Sequence, residues 1–211
     1  MRGRPSRRRR STLSSASQRD VLEFVFRAPP KSLRKPNGAK AGVSHLRRSR
    51  FVRLLPVHVT VRMARHVFDL RSRRSFSIIG RALAVAAERF GMRIVQFAVE
   101  GNHIHLVVEA ESSESLSRAM QGLSIRIAKR MNAMMRRRGA VFGDRYHAHV
   151  LRTPTEARRA VAYVRNNHRK HMAQVGQVRS RSYVDPLSSD AGVVSLPRPR
   201  AWLLRTLTLD R

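Results

Sequence analysis

The sequence predicts an α+β fold of the ferredoxin-like type, a βαββαβ antiparallel sheet with an added C-terminal helix that carries a tyrosine. Two observations lead to this prediction. Segments with period-two alternation and segments with helical spacing follow one another in the order β-α-β-β-α-β-α. Turn and cap signals separate them, whereas the first 50 residues are rich in Arg, Ser and Pro and show no such order.

The first strand and the first helix are predicted from residue type and spacing. Residues 57–62 alternate and are mostly β-branched, which is typical of a strand. Apolar residues over 75–90 recur at helical intervals, and Gly91 follows them. We therefore expect a helix that ends at Gly91.

A hairpin and two further helices complete the pattern. Residues 92–99 and 103–108 read as strands joined by a tight turn at Glu100-Gly101-Asn102. A long amphipathic helix is predicted over 115–138, ended by Gly139.

The last strand and the tyrosine helix follow. Residues 145–152 read as a fourth strand. The sequence Thr153-Pro154-Thr155-Glu156 then combines an N-cap residue, a Pro at the first helical position and a capping-box Glu. The helix that begins there should run to about His171.

Composition limits the function. The 211 residues contain 44 Lys plus Arg, 13 Asp plus Glu and no Cys, so the formal net charge is +31. A charge of this size favours binding to a polyanion, nucleic acid above all. The lack of Cys excludes disulfide scaffolds, thiolate zinc sites and cysteine nucleophiles. No apolar run approaches the ~20 residues of a membrane span, so no membrane partner is expected.

The charge is unevenly divided along the chain. Residues 1–50 hold fifteen Lys or Arg against Asp20 and Glu23, a net charge of +13, and we interpret them as a basic, mostly disordered arm. Residues 51–171 form the predicted folded domain. Residues 172–211 are predicted to be a C-terminal tail that docks in part, through its apolar end.

A pair of histidines is the main candidate for chemistry. His103 and His105 are two residues apart on a predicted strand, so both imidazoles project from the same face. Such a pair can supply two nitrogen ligands to one divalent ion, although most pairs of this kind are only exposed or hydrogen-bonded. His147 and His149 have the same spacing, and spacing does not choose between the two pairs.

Tyr163 is the second candidate. At 100° per residue it lies off the apolar stripe of its helix, and it lies near Arg159 and Asn167. An isolated tyrosine in this position usually lies at the surface or at the core edge. The alternative is a nucleophile, with Asn167 offering a carboxamide oxygen to an ion held by the histidines.

Four segments together resemble a known family. These are Pro56-Val57-His58-Val59-Thr60, Glu100-Gly101-Asn102-His103-Ile104-His105-Leu106-Val107-Val108-Glu109, Gly143-Asp144-Arg145-Tyr146-His147 and Ala162-Tyr163-Val164-Arg165-Asn166-Asn167. In order and spacing they resemble the single-tyrosine HUH transposases (transposase IS200-like), most closely the REP-associated tyrosine transposase branch. The resemblance covers roughly residues 43–171, so it identifies residues 51–171 as an HUH-type catalytic domain.

The resemblance implies metal-dependent cleavage and rejoining of single-stranded DNA. His103, His105 and Asn167 would hold Mg²⁺ or Mn²⁺, and relatives commonly have Gln at the third position. Tyr163 would form a 5′-phosphotyrosyl link and free a 3′-hydroxyl. The substrate would be single-stranded or hairpin DNA with repeats, in transposition or a domesticated role. The protein would act as a monomer or homodimer in the bacterial cytoplasm, associated with the nucleoid.

Several arginines are candidates for contacts to DNA phosphates. Arg159 is favoured because it shares the face of Tyr163. The other candidates could equally be solvated, and they are Arg165, Arg152 and Arg126.

Two other functions compete with this one. A non-catalytic, structure-specific nucleic-acid-binding module would need stacking aromatics on an open sheet face. Aromatic residues make up only 6% of the chain, and Phe97 and Tyr146 are the few strand candidates. A hydrolytic metallonuclease would need carboxylates near the histidines, and only Glu100 and Glu109 are close in sequence.

Overall fold

The computed structural model describes residues 50–208, so all of the predicted basic arm except Arg50 lies outside the described residues. Over that range, five strands form one antiparallel sheet in the order β2-β3-β4-β1-β5. The α+β prediction is confirmed. The elements are β1 Leu55–Arg62, α1 Arg73–Ala86, β2 Glu88–Arg89, β3 Met92–Val99, β4 His103–Ala110, α2 Ser113–Met134, β5 His147–Val150, α3 Pro154–Gln174 and α4 Trp202–Thr208.

The prediction for the end of α1 was wrong. The helix ends at Ala86, and the next residues form the short strand β2, in which Glu88 pairs with Arg93. Phe90 and Gly91 have φ angles of 54° and 70°, which suit a two-residue hairpin turn between twisted strands. Pairing with β3 therefore overrides the helical spacing of the sequence.

Helix α2 also ends earlier than predicted, at Met134 instead of Arg138. Arg136 has a φ of 50°, which takes the chain out of the helix. The side-chain amide of Asn132 donates a hydrogen bond to the carbonyl of Gly139 at 2.8 Å, which stabilises this early exit.

One face of the sheet packs against α1 and α2. The strands β1 and β4 pair so that Val57 lies opposite Val108, and Val59 opposite Leu106. These side chains are fully buried. The main core therefore fills the space between this face and the two helices.

The opposite face is covered in part by α3. Its first turn has the predicted capping box: Thr153 Oγ1 accepts from the Glu156 amide at 3.2 Å, and the Glu156 carboxylate accepts from the Thr153 amide at 3.3 Å. The helix packs over β3 and β4, with Ala157 and Val164 buried in a second apolar cluster that includes Val107.

The segment after α3 attaches to the sheet through several hydrogen bonds. The amide of Val99 donates to the carbonyl of Leu187 at 3.1 Å. The fully buried carboxylate of Glu109 accepts hydrogen bonds from the amides of Arg200 and Ala201, where α4 begins. Of the helices described here, none has the length and apolar character needed to cross a membrane.

Candidate active site

The predicted histidine pair lies on the face of the sheet that α3 partly covers. His103 and His105 project from β4, with His105 opposite Thr60 of β1. Their ring centroids are 4.7 Å apart, and the ring planes are perpendicular. His105 is buried, with 4% of its surface exposed, and His103 is half-buried.

The two nitrogens of His105 have different surroundings. Nδ1 lies 3.1 Å from Oγ1 of Thr60 and 3.3 Å from Nε2 of His58. Nε2 is buried and has no hydrogen-bond partner among the described residues. A buried nitrogen without a partner is unfavourable unless a ligand completes it. The geometry therefore leaves Nε2 as the ring atom available to bind a ligand.

The histidines are held in the neutral state. Burial, followed by the neighbouring imidazoles, lowers the pKa of His105 to about 2. Burial together with the charges of His171 and Arg62 lowers the pKa of His103 to about 4. Neutral imidazoles keep a lone pair, which metal binding requires.

His58 lies beside the pair on β1. Burial, with smaller contributions from His147 and His149, lowers its pKa to about 4. Its ring stacks on that of His105 at 5.4 Å between centroids. His58 therefore belongs to the same group of neutral imidazoles.

Helix α3 places Tyr163 against these rings. The tyrosine ring meets that of His105 edge-on, with 5.1 Å between centroids and an interplanar angle of 89°. It meets the ring of His58 in a similar way at 5.8 Å. Tyr163 is half-buried and packs at the edge of the second apolar cluster. The structure thus brings together the predicted histidine pair and tyrosine, which are about 60 residues apart in the chain.

Asn167 is buried on α3, with 2% of its surface exposed. It continues the buried stripe of Ala160 and Val164. Its side-chain amide donates to the Glu100 carboxylate at 3.0 Å. The following turn of the same helix brings His171 to 5.9 Å from His103, measured between ring centroids.

A second group of possible ligands lies at the other end of this region. Glu100, His168 and Asp185 each bring one ligand atom to within 4.8 Å of the others. Glu100 and Asp185 are buried. Arg71 donates to both oxygens of Asp185, at 3.0 and 2.6 Å.

The predicted arginines are spread over several surfaces. Arg159 is exposed on α3, and Arg152 is exposed just before that helix begins. Arg165 forms an ion pair with Asp190 at 2.9 Å. Arg126 lies on α2, in the layer on the opposite side of the sheet from Tyr163.

Sequence reasoning missed the roles of His58, Thr60, His171 and Glu100. The strand period places His58 and Thr60 on one face of β1, but it does not show which face. That assignment requires the pairing of Thr60 with His105 and of His58 with His149 on β5. His147 and His149 are exposed, so this face is open toward β5.

The class of protein follows from a match to a known protein family. The family model described as Transposase IS200 like matches residues 52–167, more than half of the chain. The chain therefore belongs to this family, which supports a transposase role.

Known structures show the same fold. The structure of a REP-associated tyrosine transposase bound to a REP hairpin has 17% identity and a TM-score of 0.53, and the match covers 75% of this chain and 93% of that one. A chain from Deinococcus radiodurans matches at 15% identity with a TM-score of 0.41, and the match covers 64% of this chain and 100% of that one. No significant match was found among curated proteins.

Proposed function

We propose that this protein cleaves and rejoins single-stranded DNA through a 5′-phosphotyrosyl intermediate on Tyr163. The observation that carries the proposal is the edge-on contact of Tyr163 with His105, at 5.1 Å between ring centroids. This contact supports the proposal because a phenol, whose oxygen can act as a nucleophile, lies against the neutral imidazoles of His105 and His58 in a strongly basic protein.

The residues present fit a divalent metal ion. Nε2 of His105 is buried without a hydrogen-bond partner among the described residues, and His103 adds a second neutral imidazole from the same face. We propose that His103, His105 and Asn167 hold Mg²⁺ or Mn²⁺ together with substrate phosphate. When bound, such an ion polarises the phosphoryl oxygen and disperses negative charge in the transition state.

The chemistry divides between two reversible steps. The phenolic oxygen of Tyr163 attacks phosphorus, the bond from phosphorus to the 3′ oxygen breaks, and the phenolic proton is released. The leaving 3′ oxygen takes up a proton and becomes a hydroxyl. In rejoining, a 3′-hydroxyl attacks the phosphotyrosyl phosphorus and the phenol is restored. No phosphodiester energy is lost to hydrolysis.

Charge and shape support a DNA hairpin as substrate. His147 and His149 on β5 are exposed, so this side of the face is open, and we propose that a strand reaches Tyr163 from there. Arg159 and Arg152 are exposed on and just before α3, where they can contact phosphates. The REP hairpin bound by the similar structure makes a hairpin with repeats the first substrate to test.

The alternative of a non-catalytic binding module is less favoured. Helix α3 occupies the sheet face over β3 and β4, where a stacking platform would be needed. Phe97 is fully buried in the core on the other face. A hydrolytic metallonuclease is also disfavoured because Glu100 and Glu109 are bonded to Asn167 and to the backbone of Arg200, respectively.

The test is a covalent adduct assay. A hairpin-bearing single strand labelled at its 3′ end is incubated with protein and Mn²⁺, and a labelled band that survives denaturant is sought on a gel. A 5′-labelled strand should yield a shorter product that a polymerase can extend from its free 3′-hydroxyl.

The chain offers matched controls because it contains three tyrosines. Tyr163→Phe should abolish the adduct and keep hairpin binding, whereas Tyr146→Phe and Tyr183→Phe should form it normally. Wild-type protein that forms no adduct over a broad set of hairpins, or Tyr163→Phe that forms as much as wild type, overturns the proposal.

A further inference from the structure

Glu100 lies where the strand before the histidines turns back. It is the first residue after β3, and only 3% of its surface is exposed. Its amide donates to the carbonyl of His103 at 2.9 Å, which closes the turn. The position of Glu100 is therefore tied directly to the backbone of a predicted metal ligand.

The carboxylate of Glu100 reaches across to α3. Oε1 accepts from the side-chain amide of Asn167 at 3.0 Å, and Oε2 lies 3.3 Å from Nδ1 of His168. Both partners follow Tyr163 by about one helical turn. One buried carboxylate thus links the turn before His103 to the helix that carries the tyrosine.

This cluster is better suited to a structural lock than to a second cation site. Its three possible ligands, Glu100, His168 and Asp185, lie close together. Arg71, however, holds both oxygens of Asp185, and its charge also acts on Glu100. A guanidinium already supplies the positive charge that buried carboxylates require.

We propose that Glu100 is a positioning residue that holds α3 so that Tyr163 meets the ring of His105. The inference rests on the proposed DNA cleavage by Tyr163. Without the carboxylate, Asn167 and His168 lose a common acceptor, and the helix loses its side-chain link to the turn. A displacement of about 1 Å at a reacting group can lower a rate by ~10²-fold.

Three variants test the link, and one serves as control. Glu100→Ala removes the contacts with both Asn167 and His168. Glu100→Gln keeps a side-chain amide that can bond both partners. His168→Ala removes only the contact with His168 and leaves the Glu100 carboxylate in place. Asp190→Ala is the control, because Asp190 also contacts α3, through Arg165 at 2.9 Å, but has no part in the turn.

Two measurements are made on each full-length variant. The first is the single-turnover rate of adduct formation, together with the dissociation constant for the hairpin. The second, which needs no activity, is hydrogen exchange of the amides of α3 from Tyr163 to His171. We expect Glu100→Ala to lower the rate by ~30- to 100-fold with hairpin affinity unchanged within about twofold. Glu100→Gln should restore most of the rate, and Asp190→Ala should match wild type.

Hydrogen exchange of the α3 amides from Tyr163 to His171 should become faster in Glu100→Ala and, to a smaller extent, in His168→Ala. If Glu100→Ala does not fold, His168→Ala alone decides. Wild-type rate and wild-type exchange in the folded variants would overturn the inference while the proposed function stands. If wild-type protein forms no adduct, the proposed function fails, and hydrogen exchange still decides whether Glu100 holds the helix.

Discussion

Nε2 of His58 lies 3.3 Å from Nδ1 of His105, and the two rings are stacked. Thr60 Oγ1 lies 3.1 Å from the same Nδ1. These contacts favour the tautomer in which Nδ1 carries the proton, since both Thr60 Oγ1 and His58 Nε2 can accept it. The Nε2 lone pair of His105 is then free for a metal ion. Hydrogen-bond partners of the ring nitrogen that does not bind the metal commonly fix the orientation of a ligating imidazole.

Removing these partners should weaken metal binding. Thr60→Val and His58→Phe keep similar volumes, and each removes one of the two acceptors for Nδ1 of His105. We therefore expect the affinity for Mn²⁺ to fall ~10-fold in the double variant and less in either single variant. Titration of free Mn²⁺ by electron paramagnetic resonance measures this affinity. His149→Phe is the control, since His149 is exposed on the same face opposite His58. Unchanged affinity in the double variant would show that the contacts at Nδ1 do not determine the tautomer of His105.

The metal requirement of the reaction can be tested by removal and return. A chelator should abolish adduct formation, and excess Mn²⁺ should restore it in wild type, because the proposed site has only a few protein ligands. His103→Ala and His105→Ala should stay inactive after Mn²⁺ is returned. His147→Ala, which alters the other pair of equal spacing, should recover as wild type does. Recovery of His105→Ala would rule out this pair as the metal site.

The buried imidazoles should make the protein less stable in mild acid. The pKa values of His58 and His103 are lowered to about 4 and that of His105 to about 2, whereas an unfolded histidine titrates near 6.5. Between these values the unfolded chain binds more protons than the folded one, so the free energy of unfolding falls as the pH decreases from about 6.5 toward 4. Well above pH 6.5, where the histidines are neutral in both states, these groups contribute no slope.

Urea unfolding of metal-free protein between pH 7.5 and 5 measures this slope above the range in which carboxylates titrate. The double variant His58→Phe/His105→Gln should have a shallower slope than wild type. An equal slope in both proteins would mean that other groups cause the pH dependence.

The cap of the tyrosine helix should matter for stability more than for chemistry. Thr153→Ala removes the side-chain acceptor for the Glu156 amide, so we expect a loss of about 0.5–2 kcal/mol in the free energy of unfolding. Urea unfolding gives this value. Thr155→Ala, at an exposed position two residues later, should change it little. A rate of adduct formation that falls strongly in folded Thr153→Ala would contradict this division.

The arginine on the tyrosine face should contribute to DNA affinity through charge. Arg159→Ala should weaken binding of the hairpin and reduce the slope of log K against log salt by about 0.7 to 0.9, the value for one phosphate contact. Arg126→Ala should have a smaller effect because Arg126 lies on α2, on the other side of the sheet. Fluorescence anisotropy at several salt concentrations measures both slopes. Equal effects of Arg159→Ala and Arg126→Ala would show that DNA contacts the helices on both sides of the sheet.

Part of the geometry of the candidate site could be predicted because that part is local. Period-two alternation alone puts His103 and His105 on one face, and the capping box alone marks the start of the tyrosine helix. The end of α1 could not be predicted in this way. Phe90 fits the apolar spacing of a helix, and only the pairing of β2 with β3 shows that it lies in a turn.

The sequence by itself predicted the order of the main elements but not the short strand β2, and it determined the net charge of +31 and the side chains available for chemistry. Those properties depend on residue type and on contacts within a few positions of the chain. The tertiary structure established which side chains meet: His58 reaches His105 across 47 positions, and Asn167 reaches Glu100 across 67. Strand register and helix packing determine such contacts, since each depends on how distant apolar faces are buried together.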